Sequence, residues 1–189
     1  MENKLVPFNP RHTVTPKLLS LIKDISNKIA LLNTRQFPKI ILAEFERHAR
    51  EISAFSSTSI EGNTLGLTEV KQVLKNLPQN ITNSQKEVLD YNDALVMLNG
   101  QQKKHNKPFL TLQLILAIHK IIVRELLIKG KCGVLRKEPV FVNDPFRRKT
   151  VYWPPDHQDV PFLMNELINY VKENTSKLDP IILAGIFHK

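Results

Sequence analysis

With 189 residues, 42% of them hydrophobic, and a net charge of +9, the chain suits one soluble domain with a substantial core. No apolar run approaches the ~18 residues that a membrane span needs, and residues 1–10 carry no hydrophobic segment of signal-peptide type. Cys132 is the only cysteine, which excludes an internal disulfide and makes a reducing cytoplasm the expected compartment.

Leu, Ile, Lys and Asn dominate, and the expected class is mainly α. Residues 1–14 read as an arm without periodicity. Thr15-Pro16 starts a helix, with a capping hydroxyl and a proline whose missing N–H costs nothing there. Leu18, Ile22, Ile25, Ile29 and Leu32 then recur at helical spacing. A second helix follows Pro38, with Ile41, Phe45, His48, Ile52 and Phe55 on one stripe and His48 expected as a partly buried core residue. It runs through Ser56 to Ser59 and stops at the Gly62-Asn63 pair, a helix C-cap.

A short helix from Thr68 ends at Pro78. Ser84 to Glu87 reads as a capping box ahead of Val88, Tyr91, Leu95 and Leu98, closed by Gly100. Thr111 opens a helix to about Leu127. From Pro139 to Trp153 the pattern changes to β-prone runs on either side of Asn143-Asp144-Pro145, a hairpin that Pro154-Pro155 ends. A helix from Asp159 to Glu173 turns Val160, Leu163, Leu167 and Val171 inward, and Asp179-Pro180 starts a last, almost wholly apolar helix.

Two side-chain classes give little. The histidines, His12, His48, His105, His119, His157 and His188, show no metal-ligand spacing, so no metal centre is expected. Residues 101–150 hold twelve Lys/Arg against three Asp/Glu. Aromatic residues do not interleave with them as stacking platforms, and the stretch reads as a solvated basic face rather than a nucleic-acid site.

Two distant stretches carry a family resemblance. Ser57-Thr58-Ser59-Ile60-Glu61-Gly62-Asn63 resembles the inhibitory motif Ser/Thr-x-x-x-Glu-Gly/Asn of Fic (filamentation-induced-by-cAMP) protein adenylyltransferases, in the class II arrangement where an N-terminal helix carries it. Leu178 to His188 resembles the helix leading into the family signature His-Pro-Phe-x-Asp/Glu-Gly-Asn-Gly-Arg-x-x-Arg. Between them, Gly133 to Arg136, the hairpin and Pro154-Pro155 are similar to the family's Gly-x-x-Arg turn, β-hairpin flap and Pro-Pro exit.

The resemblance implies a Fic-type helical bundle with one β-hairpin flap at about residues 139–153. Residues 1–100 would form the N-terminal helical region with the inhibitory motif, and residues 101–189 the start of the Fic core, packed as one domain. The reaction implied is transfer of AMP from ATP, with Mg²⁺, to a hydroxyl side chain of a target protein. The catalytic motif is expected beyond Lys189, so the chain reads as truncated and inactive alone, and ATP and Mg²⁺ are not expected to bind it tightly. His188 matches the upstream helix histidine, with a packing role expected.

By resemblance, Ser57, Glu61 and Gly62 are inhibitory: Glu61 pairs with the second signature arginine and blocks the ATP γ-phosphate, with Ser57 bracing it. A carboxylate at a helix C-terminus opposes the macrodipole, and a local rule broken without local gain marks a candidate functional site. The flap residues Phe141, Val142, Asn143, Thr150, Val151 and Tyr152 would dock the target segment, plausibly by strand addition. The expected partners are a target protein and, in addition, a second copy of the chain; neither a membrane nor nucleic acid is among them. The alternative is a non-catalytic helical binding module, a Fic remnant that contacts a protein or nucleic acid through its basic hairpin.

Overall fold

A computed structural model describes residues 8–104, 110–144 and 146–188, with only the backbone at 102–104. Residues 1–7 of the arm, His105, Pro145 of the hairpin turn and Lys189 lie outside the described residues. Among those described, seven α-helices and one two-stranded antiparallel sheet make up the regular structure, apart from a single 3₁₀ turn at Lys129–Lys131. The mainly α class with one hairpin is therefore correct. No helix among the described residues is long and apolar enough to cross a membrane.

The chain divides into two compact units. One is residues 38–135, and the other joins residues 1–37 to 136–189.

In the first unit, α2 (Lys39–Ile60), α3 (Leu67–Lys75), α4 (Asn83–Lys104) and α5 (Leu112–Ile122) follow in order. Helix α4 packs against each of the other three, and α2 also meets α3. Their core is Ala54, Val70, Val73 and Val88, with Phe55, Leu65, Leu74, Leu89 and Tyr91 around it. Val70 and Val88 are fully buried, each contributing roughly 1.5–3 kcal/mol.

The buried side of α2 is Glu51, Ala54 and Thr58, not the larger apolar stripe. Phe45, His48 and Ile52 are exposed, so His48 is not the core histidine expected. Glu51 is tolerated at 4% exposure because Arg47 meets its carboxylate at 2.7 Å.

Helix α4 starts earlier than the Ser84–Glu87 pattern suggests. Its capping box is Thr82 and Gln85: the Thr82 N–H donates to Gln85 Oε1 at 3.0 Å, and the Gln85 N–H to Thr82 Oγ1 at 3.3 Å. The helix also runs through Gly100 instead of closing there. Helix α5 is capped by Thr111 as expected, its hydroxyl oxygen accepting from the Leu114 N–H at 3.0 Å, but ends five residues before Leu127. Beyond it Arg124 donates to Asp90 at 2.9 Å and Asp93 at 2.7 Å. Glu125, at φ +61°, meets Lys86 at 3.3 Å. These three contacts to α4 turn the backbone out of the helix.

In the second unit, α1 (Pro16–Asn33) begins with Thr15 accepting from the Leu18 N–H at 3.2 Å. The hairpin strands are β1 (Val142–Asp144) and β2 (Lys149–Tyr152). Helices α6 (Val160–Asn174) and α7 (Pro180–His188) pack on each other, burying Ile168, Leu183 and Ile186. His188 is exposed at the end of α7. Phe8 stacks edge-on against Tyr170 with ring centroids 5.4 Å apart.

Candidate functional site: the end of helix α2 and the flap

The Ser57–Asn63 stretch forms the last turn of α2 and its exit. Glu61 occupies the C-cap at φ −84°, ψ 4°. Gly62 follows at φ +95°, a conformation that favours glycine. The Gly62 N–H donates to the Ser59 carbonyl at 3.1 Å and the Asn63 N–H to the Thr58 carbonyl at 3.0 Å. These are the two paired bonds of a Schellman motif, and they satisfy carbonyls that the helix end would leave bare. Thr58 Oγ1 also donates back to the Ala54 carbonyl at 2.8 Å.

The Glu61 backbone is thus fixed while its side chain is exposed. Among the described residues no cation lies within ion-pair distance of it. Ser57 is turned toward α4, its hydroxyl donating to Tyr91 Oη at 2.8 Å.

Asn63, which sequence reasoning treated only as part of a cap, is the most connected side chain of the exit. Its amide donates to the Ser84 carbonyl at 2.8 Å and to Glu87 Oε2 at 2.7 Å. Its own oxygen accepts from the Leu65 N–H at 3.1 Å. Neither partner of this contact could be read from local pattern, because they lie 21 and 24 residues away.

A second set of polar contacts lies on α4 one turn further on. Asp90 is only 4% exposed. Burial raises its carboxyl above the ordinary value of 3.8 against the lowering pull of Arg124, and the hydrogen bonds that Arg124 donates to Asp93 and then Asp90 raise its guanidinium in turn.

The Gly-x-x-Arg turn explains both of its named residues. Gly133 stands at φ +70°, and a Cβ there would meet Lys120 Cβ at 2.8 Å and the Leu116 carbonyl at 3.0 Å. Its N–H donates to His119 Nδ1 at 3.0 Å, which places the imidazole proton on Nε2. Arg136 donates to the Pro155 carbonyl, so the arginine of this turn and the Pro-Pro exit close the base of the flap between them.

In the flap, Val142 pairs with Tyr152, Asn143 with Thr150 and Asp144 with Lys149, with a bulge between Val142 and Asn143 that leaves Val151 unpaired. Thr150 Oγ1 donates to Asn143 Oδ1 at 2.9 Å. Asp144 Oδ1 accepts from the Phe146 and Arg147 N–H groups at 2.8 and 3.1 Å, shaping the turn as an Asx-type cap. Phe141 and Trp153, just outside the strands, meet edge to face at 5.2 Å. Phe141, Val142, Asn143, Val151 and Tyr152 are exposed, Thr150 is half-buried, and Phe146 at the tip is 96% exposed.

Among the described residues no three His, Cys, Asp or Glu side chains converge as a metal site. The signature whose acidic residue the resemblance gives to Mg²⁺ does not occur in residues 1–189, and the described residues show no cluster of ligands that fits the ion.

Residues 109–189 match the model of the Fic/DOC family. The fold is similar to a Fic family protein from Desulfovibrio desulfuricans G20, with a TM-score of 0.74 at 22% identity over 96% of this chain and 52% of that one. It is also similar to a Fic domain containing signaling protein from Bacteroides thetaiotaomicron VPI-5482, with a TM-score of 0.72 at 22% identity over 88% of this chain and 62% of that one. The chain thus spans between about half and three-fifths of the length of these two structures. Residues 109–189 thus carry the match to the Fic/DOC family, and the fold is shared with Fic family structures along most of the chain.

Proposed function

We propose that residues 1–189 are the inhibitory and target-docking front of a cytoplasmic enzyme that transfers AMP from ATP to a hydroxyl side chain of a target protein, with Glu61 as its brake. One observation carries this reading. A carboxylate stands exposed on a backbone locked by the Schellman turn, at the helix end where the macrodipole disfavours it, without a cation among the described residues. Such a group is poised for an arginine supplied from elsewhere, and the second signature arginine is the one the motif implies.

The division of labour follows from the residues present. The α2 exit positions an anion that competes with the ATP γ-phosphate for that arginine. The flap offers exposed strand edges and apolar side chains to a target segment. Proton removal from the target hydroxyl and cradling of the phosphates fall to the signature, so residues 1–189 alone are inactive.

The test is label incorporation from labelled ATP and magnesium. The 189-residue chain leaves target and self-label at background. In the chain continued through the signature, Glu61→Gly raises labelling about 10- to 100-fold, the worth of a charge-assisted hydrogen bond of roughly 1.5–3 kcal/mol. Equal labelling by the parent and by a folded Glu61→Gly protein would remove the brake.

A second reading is favoured by the flap tip, where the 96% exposed Phe146 adjoins Arg147, Arg148 and Lys149: a binding module without catalysis. It predicts that the continued chain also stays at background, whatever stands at position 61.

A further inference from the structure

Resting on the reading of Glu61 as a brake, we infer that helix α4 holds the brake in register through two clamps, Asn63 with Glu87 and Ser84 on one side of Glu61 and Tyr91 with Ser57 on the other. Asn63, Glu87 and Tyr91 are positioning residues: they touch neither nucleotide nor target and act through the backbone that carries the carboxylate.

The need for clamps follows from the place of Glu61. It is exposed at a helix end, where chains fray most readily, and among the described residues no hydrogen bond or ion pair aims its side chain. An ion pair with an incoming arginine requires the carboxylate within about 4 Å in one direction, so the aim must come from the main chain. Schellman bonds fix the turn relative to α2 alone. Something has to fix it relative to the rest of the unit.

Asn63 does this with three of its four possible hydrogen bonds: two donated to Ser84 and Glu87 and one accepted from the Leu65 N–H. An aspartate would set a second carboxylate against Glu87, and a serine would bring a single donor. The capping arrangement of α4 makes Glu87 available. Because Thr82 and Gln85 cap the helix, Glu87 is free to face the α2 exit. One turn back along α2, the hydroxyl of Tyr91 receives Ser57 at 2.8 Å, while the Tyr91 ring lies against the core. Glu61 is therefore bracketed at positions 57 and 63 by one helix.

The test uses the chain continued through the signature, with self-labelling measured across ATP concentrations. Asn63→Ala raises labelling about three- to tenfold and Tyr91→Phe, which keeps the ring and removes only the hydroxyl, about two- to threefold, as expected for losing part of the alignment behind a charge-assisted pair. Both lower the apparent KM for ATP, because a misaimed Glu61 competes less with the γ-phosphate. Combined with Glu61→Gly, neither adds anything further. A merely structural role would shift the unfolding midpoint, leave the KM for ATP unchanged and add to Glu61→Gly.

If Asn63→Ala does not fold, Glu87→Ala removes a single clamp bond and carries the same expectation at reduced size. Amide hydrogen exchange on the 189-residue chain gives an independent readout: faster exchange at residues 61–65 in either variant, with residues 51–57 unchanged. Activation by Glu61→Gly with Asn63→Ala, Glu87→Ala and Tyr91→Phe all at the parent rate would overturn the clamps and leave the brake standing. Failure of Glu61→Gly itself to activate would remove the brake and the clamps with it.

Discussion

The exit of α2 and the flap are built on opposite plans. At the α2 exit, the side chains of Ser57, Thr58 and Asn63 and the last helix carbonyls are spent on the protein itself, while the Glu61 carboxylate is left facing solvent. In the flap most contacts stay within the ribbon, the Asn143–Thr150 bond, the Asp144 turn and the Phe141–Trp153 pair, while its large side chains face water. An element that must present one charge in one direction benefits from rigidity. An element that must receive variable segments benefits from being held only at its base. On the proposed reading, the rigid exit suits regulation and the ribbon suits recognition.

The contrast can be broken at the flap's base. Arg136→Ala removes the charged donor to the Pro155 carbonyl, costing about 1.5–3 kcal/mol of stability, seen as a lowered thermal unfolding midpoint. A midpoint equal to the parent would mean that the base is held by other contacts. Next in size is Gly62→Ala. No atom lies within 4 Å of the added Cβ, so the cost is backbone strain at φ +95°, about 1–2 kcal/mol. Alanine that costs nothing there would show that the α2 exit is not locked as described. The smallest effect sharpens the flap side: Tyr152→Ala leaves stability within about 0.5 kcal/mol of the parent while lowering target labelling by the continued chain. Loss of stability without loss of target labelling would make Tyr152 a structural residue.

Much of this plan was legible in the sequence. Thr15-Pro16 and Thr111 marked helix starts because capping is a local interaction, three residues in reach. Gly62 marked the end of α2 because a left-handed residue is needed there and glycine supplies it. The alternation of β-prone residues flagged the hairpin. Other features were not legible because they depend on distant partners. Thr82–Gln85 and Ser84–Glu87 both fit a capping box, and only the demand of Asn63 for Glu87 separates them. The buried side of α2 is set by which side meets α3 and α4, and it carries Ala54 and Thr58 rather than Phe45. Tyr91 looked like an ordinary core aromatic, and its hydroxyl gains a role only when Ser57, 34 residues away, is brought against it.

The bulge between Val142 and Asn143 has a consequence for solubility. A two-stranded ribbon with unpaired edges and exposed apolar side chains is a template on which further chains could stack. Here the strands are three and four residues long, the bulge interrupts the regular spacing of edge amides, and Arg147, Arg148 and Lys149 would bring like charges together if two tips met. The ribbon is thereby kept from propagating into larger sheets.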